Sequence, residues 1–144
     1  MATFTKVNDF VEALAEKVHN LGSDTLTVAL SNTAPASESS NPTADGNGVL
    51  ANVTQIAYTN LSARAITTSA SAQTSGTYKL TLTDLVLTAS GGAVADFRYV
   101  YIYNDTATND ELIAVYDYGS TVSLADGDTF TIDFDGTNGV LTIA

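Results

Sequence analysis

The sequence predicts a mainly β protein, an antiparallel β-sandwich of jelly-roll type with one N-terminal amphipathic α-helix. Two observations carry the β assignment. The second half strings together short segments such as Tyr78-Lys79-Leu80-Thr81-Leu82, where apolar and polar residues alternate as side chains do on a pleated strand. Turn formers separate these segments: Ser90-Gly91-Gly92, Asn104-Asp105, Asp126-Gly127 and Asp135-Gly136. Strands with one apolar face need a second layer to cover it, so short strands at this spacing predict a sandwich or barrel. A third observation supplies the helix, because a convincing helical period occurs only once, near the N-terminus.

Residues 8–21 are predicted to be that helix. Phe10, Val11, Leu14, Val18 and Leu21 recur at three- and four-residue steps and form one apolar stripe suited to packing on a sheet. Asp9 and Glu12 have the spacing of a capping box, and Gly22 is the residue type that commonly ends a helix in a left-handed cap. Thr25 to Leu30 is the first strand, with Leu26, Val28 and Leu30 on one face. From Ser31 to Gly48 the chain turns to Ser, Asn, Ala, Pro and Gly and holds both prolines, a composition that predicts a long surface loop. Val49 to Tyr58 reads equally as a short turn or an edge strand. Leu61 to Thr67 is a strand, and Ser69 to Gly76 a polar connection. The remaining strands are Tyr78 to Leu82, Leu85 to Leu87, Phe97 to Tyr103, Leu112 to Tyr118, Thr129 to Phe134 and Val140 to Ile143. Phe97, Tyr99, Tyr101 and Tyr103 are expected on one face of their strand, with Arg98, Val100 and Ile102 on the other. Apolar residues on both faces predict a central strand covered twice, by a second sheet and by something else such as the helix. Its hairpin partner is Leu112 to Tyr118, across the loop from Asn104 to Asp110.

A chain of 144 residues suits one domain, residues 1–144. About two-thirds of its unfolded surface should be buried on folding. Charged residues make up 15%, against roughly 25% in average soluble proteins, and Ser and Thr fill the gap. The net charge of −11, with Lys6, Lys17, Arg64, Lys79 and Arg98 scattered, argues against nucleic acid as a partner, since that affinity comes mainly from cations neutralising phosphates. Without Cys, disulfides and thiolate metal sites are excluded. No run approaches the roughly 20 apolar residues of a membrane span. The opening Met1-Ala2-Thr3-Phe4-Thr5-Lys6 lacks a basic region followed by an apolar core, so no secretory leader and no membrane partner are expected.

Chemistry-bearing patterns are sparse, and no enzyme, cofactor or metal site is expected. His19 is the only histidine, lies near the predicted helix end where a cation is favoured, and has no second base in a recognisable arrangement with it. Asp126-Gly127-Asp128 and Asp133-Phe134-Asp135-Gly136 could offer oxygen ligands to calcium, but Thr137 stands where a third ligand belongs and no Glu closes the loop. Acidic turn residues account for both. The tyrosines Tyr99, Tyr101, Tyr103, Tyr116 and Tyr118 would serve a sugar-binding platform if their rings were exposed.

Several stretches in order resemble a family of small virion structural proteins of tailed bacteriophages and prophages. They are Phe10 through Leu26, Val28-Ala29-Leu30-Ser31-Asn32-Thr33-Ala34-Pro35, Ala89-Ser90-Gly91-Gly92, Phe97-Arg98-Tyr99, Tyr103-Asn104-Asp105-Thr106-Ala107, Asp117-Tyr118-Gly119-Ser120 and Asp133 through Gly139. The resemblance implies a capsid decoration or cement protein, made in the host cytoplasm and located in the virion, with the major capsid protein as partner. It also implies no catalytic residues. A tail-associated or receptor-binding β-domain is the alternative, and a homo-oligomer is compatible with either. The expected lattice contacts are the N-terminal segment, at Phe4 and Lys6, and the long loop, at Asn32, Pro35, Asn41 and Pro42.

Overall fold

The computed structural model describes residues 2–144. Its strands are β1 (Thr3–Lys6), β2 (Leu26–Ser31), β3 (Ala65–Ile66), β4 (Thr68–Thr74), β5 (Thr77–Leu82), β6 (Leu85–Thr88), β7 (Val94–Asn104), β8 (Leu112–Leu124), β9 (Thr129–Ile132) and β10 (Leu141–Ile143), with one helix, α1 (Phe10–Ala15). All pairings are antiparallel. A five-stranded sheet in the order β1-β8-β7-β2-β3 forms one layer, and a three-stranded sheet β10-β5-β4 with the pair β6-β9 forms the other. The main core lies between them, where Leu26, Val28, Leu30, Val100 and Ile102 meet Leu80, Leu82, Leu87, Ile132 and Phe134. The arrangement is the mainly β, sandwich-like fold that the alternation predicts.

The hairpin β7-β8 is the centre of the large sheet, and its turn is set by a side chain. Asn104 Oδ1 accepts hydrogen bonds from the backbone N–H groups of Thr106 (3.0 Å) and Ala107 (3.3 Å), which folds the chain back at the predicted place. Farther along, Tyr99 pairs with Asp117 but Phe97 pairs with Val122, so two steps on β7 span five on β8. The surplus forms a bulge at Tyr118 to Thr121, where Gly119 has φ +94°. This register break overturns the predicted facing of Phe97. It lies in the main core, ring against Phe130 at 5.2 Å, on the side of Val100 and Ile102 rather than with Tyr99.

Four other expectations are corrected. The helix runs from Phe10 to Ala15, not from 8 to 21, because Lys17 takes a left-handed conformation (φ 65°) and Val18 N–H bonds back to Ala13 O at 2.8 Å. Leu21 of the predicted stripe is still buried, but Val11 is 54% exposed. The capping box is absent, since the Asp9 carboxylate accepts from Gly46 N–H (2.9 Å) and Gly48 N–H (2.8 Å) instead. The span from Ser69 to Gly76 is mostly strand β4, joined to β5 by a two-residue turn, Ser75-Gly76, in which both residues have positive φ (51° and 86°). The strand expected at Leu61 to Thr67 shrinks to Ala65–Ile66, and Leu61 keeps only an isolated bridge to Ala89. Val49 to Tyr58 contains a 3₁₀ turn, Leu50–Asn52, and a bridge from Val49 to Glu111.

The second cover of the large sheet is neither a sheet nor the helix. The segment from Asn32 to Thr54 lies on the outer face of β2, β7 and β8, and closes a second core of Val7, Ala29, Val53, Tyr99, Tyr101, Tyr103, Leu112 and Val115. It is tied down by both Asp9 oxygens, by Glu38 to Thr54 N–H (2.8 Å) and Oγ1 (2.7 Å), and by Leu112 N–H to Gly48 O (2.8 Å). Gly48 is required there, because a Cβ would come within 2.9 Å of Val7 Cγ1. What composition marks as a surface loop is a fastened wall.

Candidate functional site

His19 sits in a buried polar node and not in a reactive cleft. The chain leaves α1 early and turns at Asn20 to Asp24, which carries His19 under the β7-β8 turn. Asn104 Nδ2 lies 3.1 Å from His19 Nδ1 and donates to Asp24 Oδ2 at 2.6 Å; the same Asp24 oxygen accepts from Asn20 N–H at 2.7 Å. An amide donor facing Nδ1 places the imidazole proton on Nε2. Burial pushes the His19 pKa below its ordinary value, while the negative charges of Glu111 and Asp24 oppose that shift. Burial thus works against the charged imidazole that a helix end would favour. A histidine whose folded pKa is lowered binds fewer protons than in the unfolded chain, so stability must fall as pH drops below 6.5. The thermal midpoint is expected to decrease between pH 7 and 5, and His19→Gln to flatten that slope; an equal slope in the variant would assign the effect elsewhere.

The tyrosine face is closed. Tyr99, Tyr101 and Tyr103 are buried beneath the wall, and the Tyr101 hydroxyl has no hydrogen-bond partner among the described residues. Burial raises the Tyr101 pKa, with the nearby charge of Glu38 adding to the shift. Three of the five rings that could form a sugar platform are therefore inaccessible. Tyr118, on the β8 bulge, stays exposed, and Tyr116 is half-buried.

Three of the four clustered carboxylates, Asp126, Asp128 and Asp135, are committed to turns. Asp135 accepts from the N–H groups of Thr137 (2.9 Å) and Asn138 (2.8 Å) and from Asn138 Nδ2 (2.7 Å), and these bonds depress its pKa. Asp126 holds Gly91 N–H at 2.8 Å, and Asp128 holds Ala125 N–H at 2.9 Å. Among the described residues no group of His, Asp and Glu is arranged to hold a metal, and no helix is long and apolar enough to cross a membrane.

What remains open is one side of the sandwich. β1 is an edge strand, paired to β8 on one side only, with all four residues exposed. Phe4 pairs with Tyr116 and its ring lies edge-on to that tyrosine at 5.2 Å. Between β1, α1 and β10, an edge strand of the smaller sheet, runs a groove of about 340 Å³ lined by Phe4, Lys6, Val11, Leu14, Leu141 and Ile143 among others. Beyond Phe4, a second hollow is lined by Ala2, Tyr116, Tyr118, Phe130 and Asp133 among others. Of the five large apolar side chains exposed among the described residues, Phe4, Val11, Tyr118 and Ile143 flank β1, and only Val86 lies elsewhere.

The contact candidates divide accordingly. Phe4 and Lys6 come together at the groove. Asn32 is exposed and Pro35 half-buried on the opposite, walled face. Asn41 spends its amide oxygen on Thr43 N–H (3.0 Å) and Oγ1 (2.8 Å). Pro42 is fully buried and cannot be a contact, because it is part of the packed wall. Val11 and Ile143 were not among the candidates: a helical stripe marks Val11 as core, and nothing in the terminal strand shows that its outer edge stays open. No family model, curated protein or solved structure matches the chain.

Proposed function

We propose that the chain is a non-enzymatic virion structural protein of a tailed bacteriophage that binds the capsid lattice and stabilises the head. The observation that carries the partner-binding part is the concentration of exposed apolar side chains along the β1 edge, on a molecule whose large sheet is covered on both faces. The head as the station is supported by the ordered resemblance to virion proteins. A rigid sheet with one sticky edge suits a clip, and many weak copies hold a shell firmly when each touches two neighbouring subunits. Burial of Tyr99, Tyr101 and Tyr103 weakens a sugar-binding tail tip relative to this reading.

The purified protein, mixed with mature heads lacking it and separately with isolated tails, is expected to co-sediment saturably with heads alone. Sedimentation with tails alone would move it to the tail, and sedimentation with neither would remove the virion assignment.

A further inference from the structure

The groove beside β1 differs from the rest of the surface in charge. The chain has 16 acidic and five basic residues, yet among the described residues the only charged one lining this groove is Lys6. An adjoining hollow, which shares Leu14 and Ile143 with it, has Lys17 as its only side chain that bears a full charge at neutral pH. The other three cations are engaged. Arg98 forms the two-pronged pair with Asp117 (2.7 and 2.9 Å), Arg64 stacks on Tyr58 and bonds Val28 O, and Lys79 Nζ bonds Thr137 O at 2.9 Å. Lys6 and Lys17 make no ion pair among the described residues. Two unengaged cations thus lie at and beside an apolar trough, while a further hollow that shares Val11 with it is lined by Asp9, Glu12, Glu16, Asp45 and Glu111.

The backbone adds a second requirement. In an antiparallel edge strand alternate residues direct N–H and C=O away from the neighbouring strand, so β1 presents unpaired groups on the side away from β8. Phe4 and Lys6, two residues apart, share one face, the face of Tyr116 and Ala114 opposite them. A strand added along β1 would place every second side chain over the trough, where an apolar residue would face Phe4 and a carboxylate would face Lys6. A second copy of this chain does not fit: the antiparallel pairing that keeps faces matched sets Phe4 against Phe4, supplies no carboxylate for Lys6, and brings two bodies of net charge −11 together.

We propose that the β1 edge takes an extended segment of a partner protein, added as a sixth strand, whose groove-facing side chains are apolar with a carboxylate set against Lys6. The mode is β-augmentation, in which main-chain bonds give affinity and alternate side chains give specificity. It deepens the lattice-binding reading by naming the chemistry that the capsid subunit would offer.

The test uses the full chain and two synthetic peptides, acetyl-Thr-Val-Thr-Val-Thr-Glu-Thr-amide and the same peptide with Lys in place of Glu, followed by backbone amide NMR. The glutamate peptide is expected to shift the amides of Thr3 to Lys6 and Leu141 to Ile143 saturably. The lysine peptide should bind at least about tenfold more weakly, and Lys6→Glu should reverse the preference. Val86→Glu, on the exposed site away from this edge, should change neither. Shifts confined to other strands, equal affinity for both peptides, or no shift at millimolar peptide would overturn the inference. Because no capsid is involved, failure here is separable from failure of head binding in the sedimentation experiment.

Discussion

Deletion of residues 36–46 is expected to abolish most of the protein's stability rather than trim its surface. The segment carries Pro42, which is fully buried, and Glu38, whose carboxylate fixes Thr54, and it delivers Gly46 to the Asp9 carboxylate. Without it the wall over Tyr99, Tyr101 and Tyr103 loses its anchorage, and these side chains meet water on a sheet face that has no other cover. Each large apolar side chain returned to water costs about 1.5–3 kcal/mol, so uncovering three or four approaches the 5–15 kcal/mol of a whole domain. Urea unfolding followed by near-ultraviolet circular dichroism should show a collapsed midpoint and loss of the tyrosine signal. Serine at Ala36, an exposed wall residue, should leave both within error. A deletion variant with the parental midpoint would mean the wall is a passive covering.

That expectation inverts the one drawn from composition, and the reason is physical. Ser, Asn, Pro and Gly predict an irregular backbone correctly, but irregular is not the same as exposed. The wall is held by backbone groups and by two carboxylates, Asp9 and Glu38, whose partners lie 37 or more and 16 residues away, and no local pattern encodes such pairs. Elsewhere the sequence was legible where apolar residues alternate, as in Thr77–Leu82, or run unbroken between turn formers, as from Leu112 to Val115. It was illegible in Thr68–Thr74, a polar edge strand that buries neither face and so shows no alternation of apolar residues. Phe97 was placed on its strand but on the wrong face, since period two holds only until a bulge resets it. At the candidate site, the N-terminal segment of Phe4 and Lys6 is a predicted contact, but the strand it forms, Thr3–Lys6, is not predicted. Val11 and Ile143 join them only because the last strand, β10, packs beside β1 and α1 from the opposite end of the chain.

The same logic of distant polar partners makes Asn104→Ala the most damaging single substitution expected. Asn104 is fully buried and uses both ends of its amide: Oδ1 serves the N–H groups of Thr106 and Ala107, and Nδ2 serves His19 and Asp24. Alanine removes four contacts at once and leaves His19 Nδ1 buried without a donor. Each buried polar group left unpaired costs about 1–3 kcal/mol, giving a loss on the order of 2–5 kcal/mol. For a chain of this size the thermal midpoint should then fall by roughly 5–15 °C. Asn104→Asp separates the turn from the node. Its carboxylate can still accept from Thr106 and Ala107 but cannot donate to His19, and it stands against the Asp24 carboxylate. The added negative charge favours protonated His19, so the histidine pKa should rise. The native state would then exclude the proton less strongly than the wild type does, and acidification from pH 7 to 5 should cost the aspartate variant less stability than it costs the wild type. Parallel pH profiles for the two proteins would show that His19 does not sense Asn104, and the node would reduce to a turn.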